Sequence, residues 1–391
     1  MSVRRPPRVV VVGGGAIGLA TACELARAGC GVTVVDAGRA RPGTTGVSFA
    51  RINAAEKTLP PYHELNAAGL AAFHDLARTD GAPRWLHLTG HLEWAATDDR
   101  RRALRERTRL VESFGYRVEV LSGRDVKARL EPDLLVPDEE EVSFFPDEGY
   151  AETGGLLEGL RRAAAALGVA IRRARVTTLS VSGRGSHRVG LDTEEMLPAD
   201  VVVCAAGRWT GEVAGLAGTS APLRRPEEDG VTGFLATTAP TSTSLSRSVF
   251  APRLNVRPDG GGRLVLQALE LDGDAVTALA GTVPSRVREQ LEARLTETLR
   301  LGGGRGDVSE VRVGVRPLPL DGLPIVGWAD GLDGVYLVVA HSGVTLCLVL
   351  GRLVGGEIAR GRSEPLLEPF RLARFAPSEA TATALHRPPP L

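Results

Sequence analysis

Residues 8–18 read Arg8-Val9-Val10-Val11-Val12-Gly13-Gly14-Gly15-Ala16-Ile17-Gly18. Four consecutive β-branched residues suit a strand covered on both faces, as in a parallel sheet. That strand opens directly into Gly13-x-Gly15-x-x-Gly18. Ala-rich, helix-prone sequence continues from Ile17 to Ala28, and Gly29 stops it. Val32-Thr33-Val34-Val35-Asp36 is the next strand, so residues 8–36 make one βαβ unit.

A glycine turn placed between strand and helix is the dinucleotide fingerprint. Gly13 makes the tight turn, Gly15 lets the backbone approach a pyrophosphate, and Gly18 lets the helix pack closely on the sheet. The unpaired N–H groups and partial positive charge of the helix N-terminus suit phosphate oxygens. Asp36 closes the second strand, where a carboxylate can bond ribose hydroxyls. The fingerprint alone does not separate NAD from FAD. A regular run of further βα units would suit NAD. Here a segment with Gly43, Thr44, Thr45, Gly46 and Ser48 follows, and the next clear buried strand ending in glycine is 201–207. That interruption is expected of a cofactor domain that the chain leaves and re-enters.

The bulk composition narrows the class. A chain of 391 residues has room for two domains and a large core. Lys+Arg and Asp+Glu both number 47, which gives no basic excess and argues against a nucleic-acid partner. Cys23, Cys30, Cys204 and Cys347 show neither CxxC nor metal-type spacing and read as reduced, buried cytosolic thiols. The N-terminal arginines and apolar run imitate a signal peptide, but three glycines and Glu24 interrupt them, so the expected location is cytoplasmic. The apolar stretch 335–350 is short and broken by His341, Ser342 and Gly343, so no membrane span is expected.

Further along, helices are expected near 61–79, 98–114, 153–167, 284–299 and 346–360. Strands are expected at 86–95, 170–180, 187–192, 311–315 and 335–340, and a hairpin at 254–269 across Pro258–Gly262. Residues 302–304 read as a turn, and the Ser/Thr-rich segment 237–248 as a loop or sheet edge. The Pro-, Ala- and Thr-rich tail 377–391 reads as disordered.

From about Val9 to Phe375 the chain resembles the D-amino-acid oxidase/glycine oxidase/sarcosine oxidase superfamily of FAD enzymes. The anchors are GGGAIG (13–18), GTTGVSFA (43–50), Leu130-Glu131-Pro132, FFPDEG (144–149), CAAGRW (204–209), VGVRPLPLDGLPIVG (313–327) and GVYLVVAHSGVTL (334–346). The resemblance implies an α/β fold: a discontinuous Rossmann-like FAD domain at 1–87, 148–220 and 313–376, and a second, α+β substrate domain built on an antiparallel sheet at 88–147 and 221–312. The active site is expected where the two meet.

By that resemblance Gly13, Gly15, Ala16, Ile17, Gly18, Asp36 and Ala37 contact the pyrophosphate and ribose. Thr44, Thr45, Ser48, Phe49, Ala50 and Arg51 lie where the family's loop runs beside the flavin, and Val176 where a backbone group holds the adenine. Ala206, Gly207, Trp209 and Gly314 belong to anchors on the cofactor side. His341, Ser342, Gly343, Val344 and Thr345 match the loop at the pyrimidine side of the flavin. Arg316, in GVRP, sits where glycine and D-amino-acid oxidases pair the substrate carboxylate, and a planar five-donor fork suits that task. The alternative is a structural arginine.

Three departures matter. The loop 341–345 has no second arginine, and Asn255 stands near the family's substrate tyrosine. No cysteine falls at the flavin-linkage position of sarcosine oxidases, so the implied FAD is noncovalent. Arg51 either supplies a second positive charge or caps its loop. The resemblance therefore implies a small carboxylate-bearing amine as substrate, glycine-type, N-substituted glycine or D-amino acid. O2 is the expected acceptor, without a metal. The alternatives are a dehydrogenase feeding a quinone or carrier, and a non-catalytic flavin-binding subunit.

Overall fold

The valine run forms the middle of a sheet because both its faces need cover: Val9, Val10, Val11 and Val12 are all buried. The computed structural model describes residues 6–38, 43–79, 81–183, 186–302 and 306–375, so the tail 377–391 and part of the 302–304 turn lie outside the described residues. Cα packing divides the chain into two units: 1–46, 154–225 and 316–391 in the first, 47–153 and 226–315 in the second.

The first unit carries a six-stranded sheet in the order Ile325–Trp328, Val335–Val339, Val201–Cys204, Arg8–Val12, Gly31–Asp36, Ala170–Arg173. All neighbours are parallel except Ile325–Trp328, which runs antiparallel to Val335–Val339. The helices Ala16–Arg27 and Gly343–Arg360 pack against each other through small residues. At Gly351 an added Cβ would stand 2.9 Å from the backbone of Ala20. A three-stranded antiparallel sheet, Val176–Ser180, His187–Leu191 and Met196–Ala199, shares the core of this unit with Val10, Val12 and Val35.

The second unit carries an eight-stranded sheet ordered Val308–Val315, Thr232–Thr238, Leu264–Gln267, Leu254–Pro258, Ser248–Ala251, His91–Glu93, Glu141–Phe145, Glu119–Ser122. Every pair is antiparallel except Ser248–Ala251 with His91–Glu93. One face alternates into a core of Leu92, Val142, Phe144, Val249, Leu254, Val256, Leu264 and Leu266, with Val287, Leu291 and Leu295 from the helix Ser285–Thr298. Period-two alternation sends His91, Phe145, Phe250, Asn255, Arg257 and Gln267 to the opposite face.

Several boundaries differ from the sequence expectation. Residues 47–87 and 148–153 both pack with the second unit, held together by Arg51–Ile52 and Leu86–His87, which pair with Gly149–Ala151. Residues 313–315 finish a strand paired with Thr232–Thr238, and 221–225 join the first unit through Arg224 N to Leu318 O (2.8 Å). The single strand expected over 86–95 is two strands in different sheets. Gly90 divides them, with φ +93°, and an added Cβ there would stand 2.5 Å from the Phe144 ring. The helix expected from 346 begins at Gly343, so 341–345 is a helix N-terminus and not a free loop.

Candidate active site

In the first unit the glycines do different jobs. At Gly13 (φ +114°) an added Cβ would stand 2.3 Å from Ala205 O, and at Gly18 one would stand 2.0 Å from Gly13 O. The protein itself therefore requires both. At Gly15 an added Cβ would meet only Thr45 Oγ1, at 3.4 Å. The packing leaves that side open, as a backbone approached by a pyrophosphate needs. Gly15 is the N-cap of Ala16–Arg27 and places no side chain over the first-turn N–H groups. Ala16 N has Thr45 Oγ1 at 3.4 Å.

Asp36 accepts from Gly14 N through Oδ2 (2.7 Å) and from Gly38 N through Oδ1 (2.9 Å). A carboxylate oxygen has further lone pairs, so those bonds fix its orientation and leave acceptor capacity for a ribose. Ala174 N donates to Asp36 O (3.0 Å), which brings the start of the Val176 strand beside it. Ala37, next along, is exposed. The turn Ala205–Gly207 abuts Gly13, Arg208 stacks on the Trp209 ring at 4.1 Å, and Gly43 lies against that indole. The N-terminus of Gly343–Arg360 comes alongside: Gly343 packs on Ile17, Thr345 is buried, and Ser342 is the N-cap without a side-chain cap bond. Gly13, Gly15, Ile17, Asp36, Thr45 and Gly343 are thus gathered at two helix N-termini. Their donor set and open side fit the phosphates and ribose of a dinucleotide.

Arg316 directly follows the strand Val308–Val315, is half-buried, and belongs to the first unit. Ser48, Phe49, Ala50, Arg51, Asn255 and Gly314 belong to the second. Gly314 sits there under Val47, whose O would be 3.1 Å from an added Cβ. Asn255 Nδ2 donates to Gln267 Oε1 (3.3 Å) across the pair of strands.

Arg51 is buried, and its charge is answered inside its own unit. Nε donates to Glu148 Oε2 at 2.7 Å, Nη2 lies 2.7 Å from the same oxygen, and Nη1 lies 3.4 Å from Glu56 Oε1. The guanidinium covers the Phe250 ring at 4.8 Å and the Phe145 ring at 5.8 Å. Burial works against this cation, but Glu148, Glu56 and Glu93 outweigh it and hold its pKa above the usual value. Glu148 Oε1 accepts from Tyr116 Oη (2.7 Å) and Ala55 N (3.3 Å), and Tyr116 Oη accepts from Ala54 N (3.1 Å). Burial raises the Glu148 carboxyl against the pull of Arg51, and raises the Tyr116 phenol further with help from Glu148. Sequence reasoning found Arg51 and missed these partners. The signal was present: Glu148 is one of the two acids of the FFPDEG anchor, beside Asp147.

His91 is buried beside this network, with Nδ1 2.9 Å from Ser248 Oγ and its ring edge-on to Phe250. Glu93 Oε2 is 3.9 Å from Nε2, too far for a hydrogen bond. Burial, then Arg51 and Arg107, pushes its pKa well below the usual histidine value. The folded chain keeps His91 neutral while the unfolded chain takes up a proton below about pH 6.5. Stability is therefore lost as pH falls below that point. His63 and His187 are shifted the same way by burial and add to the slope. Melting curves from about pH 7.5 to about pH 5.5 should show a smaller loss for His91→Gln than for wild type. Equal slopes would remove His91 from the account.

Among the described residues no His/Cys/Asp/Glu group is placed to hold a metal ion, and no helix is long and apolar enough to cross a membrane. Comparison with known proteins agrees with the geometry of the glycine turn. The chain is 25% identical over 390 residues to a subunit of the opine oxidase of Rhizobium meliloti, covering 95% of this chain and 98% of that protein. It is 28% identical over 408 residues to the glycine oxidase of Pseudomonas aeruginosa, again covering 95% and 98%. Its fold superposes on the crystal structure of glycine oxidase from Geobacillus kaustophilus with a TM-score of 0.78 at 22% identity, covering 95% of this chain and 99% of that one. A family model described as DAO, FAD dependent oxidoreductase, matches residues 8–356. The chain belongs to that family of FAD-dependent oxidoreductases.

Proposed function

We propose that the chain is an amine or amino-acid oxidase whose substrate carries a carboxylate. The observation that carries the reading is Arg316 in its GVRP setting, in a chain similar over nearly its full length to a glycine oxidase and to a subunit of an opine oxidase. FAD, when bound, supplies the acceptor for a hydride equivalent from the substrate carbon. The helix N-terminus at Gly15 and Ala16 receives the pyrophosphate, and Asp36 the ribose. Arg316 holds the substrate carboxylate in a two-point grip, which fixes the orientation of the carbon that is oxidised. In balance, amine, O2 and water give oxo acid, ammonia or a smaller amine, and H2O2.

The cofactor is held without a covalent bond. Cys23, Cys30, Cys204 and Cys347 are all buried. Burial raises every one of these thiols, Cys204 and Cys347 to about 12, so none is a ready thiolate nucleophile. Acid precipitation should therefore release all the yellow colour into the supernatant; colour left on the denatured chain would overturn noncovalent binding. The substrate class is tested by anaerobic bleaching of the holoenzyme with glycine, N-alkyl glycines and D-amino acids, each beside its decarboxylated amine. Bleaching by an acid but not by its amine is the expected result. Equal bleaching by both would sink the carboxylate assignment.

One feature favours a second reading, a dehydrogenase that passes electrons to a carrier: the full-length likeness to a protein that is one subunit of an oxidase. Rapid turnover with an artificial electron acceptor and none with O2 would decide for it.

A further inference from the structure

Ala50 is a strained point of the second unit. Its φ is +58°, and among described non-glycine residues only Glu194 shares a positive φ. A side chain there is held in an unfavourable backbone region, which persists only where the surroundings over-determine it. Three bonds do so: Ala50 N donates to Ser48 Oγ (3.0 Å), Ala151 N donates to Ala50 O (3.0 Å), and Arg257 Nε donates to Phe49 O (2.5 Å).

The third bond acts on the strain itself. Phe49 O belongs to the planar peptide that joins residues 49 and 50, so fixing that oxygen fixes the plane about which φ of Ala50 is measured. Arg257 is suited to fix it because it is itself immobilised. Its side chain is 1% exposed, and Nη1 donates to Pro258 O (2.6 Å) and Asp259 Oδ1 (2.9 Å). Its guanidinium lies 5.8 Å from the Phe49 ring and 5.4 Å from the Tyr150 ring. A buried cation bonded to a backbone carbonyl is an expensive way to fill space that an apolar side chain could fill.

We infer that Arg257 is a positioning residue that pins the Phe49–Ala50 peptide and so holds the left-handed turn carrying the flavin contacts Ser48, Phe49 and Ala50. The inference rests on the reading of those three residues as flavin contacts, and its test separates the two. Four proteins form a cycle: wild type, Arg257→Met, Ala50→Gly, and the double variant. FAD dissociation constants and melting temperatures are read for each, with Arg257→Lys alongside.

Arg257→Met should weaken FAD binding by about tenfold or more. Arg257→Lys should recover little, because one ammonium cannot replace a fork that joins Phe49 O to Asp259. Glycine accepts positive φ without strain, so Ala50→Gly placed in the Arg257→Met background should win back about threefold or more. Independent losses in the double variant would overturn the inference. So would a lower melting temperature that Ala50→Gly does not restore, since Arg257 would then be a packing residue. A melting temperature restored by Ala50→Gly with FAD affinity unchanged throughout would instead overturn the reading of Ser48, Phe49 and Ala50 as flavin contacts. A wild-type protein that binds no FAD at all would instead overturn the functional reading.

Discussion

Arg316→Ala is expected to lower kcat/KM by about two to four powers of ten, equivalent to roughly 3–5 kcal/mol. The size follows from what is left behind. A carboxylate taken out of water needs both its oxygens bonded, and a guanidinium offers two parallel donors to them. Without that partner the anion is desolvated and unpaired, in the ground state and in the transition state alike. Arg316→Lys should recover little, because a point charge cannot fix the orientation of the carbon that loses hydride. The protein should stay yellow, since Asp36 and the Gly13–Gly18 turn are untouched. Both variants are to be compared with wild type on the best acid substrate and on its decarboxylated amine. Near-equal losses on the two would make Arg316 structural and end the case for a carboxylate-bearing substrate.

The first unit was legible in the sequence because its strands advertise themselves. Val9–Val12 and Val201–Cys204 are inner strands of a parallel sheet whose two faces are both packed over, so each reads as a continuous apolar run. The glycines at 13 and 18 were legible for a related reason: each is forced by a close backbone approach that no side chain survives. The second unit was harder to read. Arg51–Ile52 and Leu86–His87 are strands of two residues whose strand partner lies far along the chain, in Gly149–Ala151. No local pattern marks such a strand. The 86–95 stretch alternates as one strand should, yet Gly90 turns it from one sheet into another.

The candidate residues of each unit divide along the same line. Asp36 and Gly15 were placed by a motif whose parts are neighbours in sequence. The partner of Arg51 is 97 residues away, and Arg257 reaches Phe49 across 208. Sequence spacing carries no information about such pairs. One trace of Arg257 existed: it stands two residues from Asn255 on one strand, so both side chains share a face. The glycine turn at 343 shows the converse. The sequence reads as a loop there, yet the helix begins at Gly343, which lies against Ile17.

Glu148→Gln is the sharper test of the buried network, with an expected cost of about 3–5 kcal/mol to the stability of the second unit. Glutamine keeps an oxygen for Tyr116 Oη and Ala55 N, but its NH2 group stands where Oε2 accepted from Arg51, so the substitution removes the charge and that acceptor together. The guanidinium, with 3% side-chain exposure, keeps Glu56 at 3.4 Å and two aromatic rings among its neighbours. Neither rings nor one longer contact replaces the two donors that Glu148 answered. Arg51→Met leaves the opposite problem, a buried carboxylate without its cation. That carboxyl has an escape, because its pKa is already raised by burial and loses the pull that lowers it. A carboxyl whose folded pKa stands above its unfolded one gains relative stability as pH falls through that interval. The Arg51→Met deficit should therefore shrink on acidification, while the Glu148→Gln deficit should not. The double variant Arg51→Met/Glu148→Gln removes both charges together. It should cost at least about 2 kcal/mol less than the sum of the single changes, read from urea midpoints at neutral pH. Strict additivity would mean that Arg51 and Glu148 do not act as a pair, whatever the 2.7 Å between them suggests.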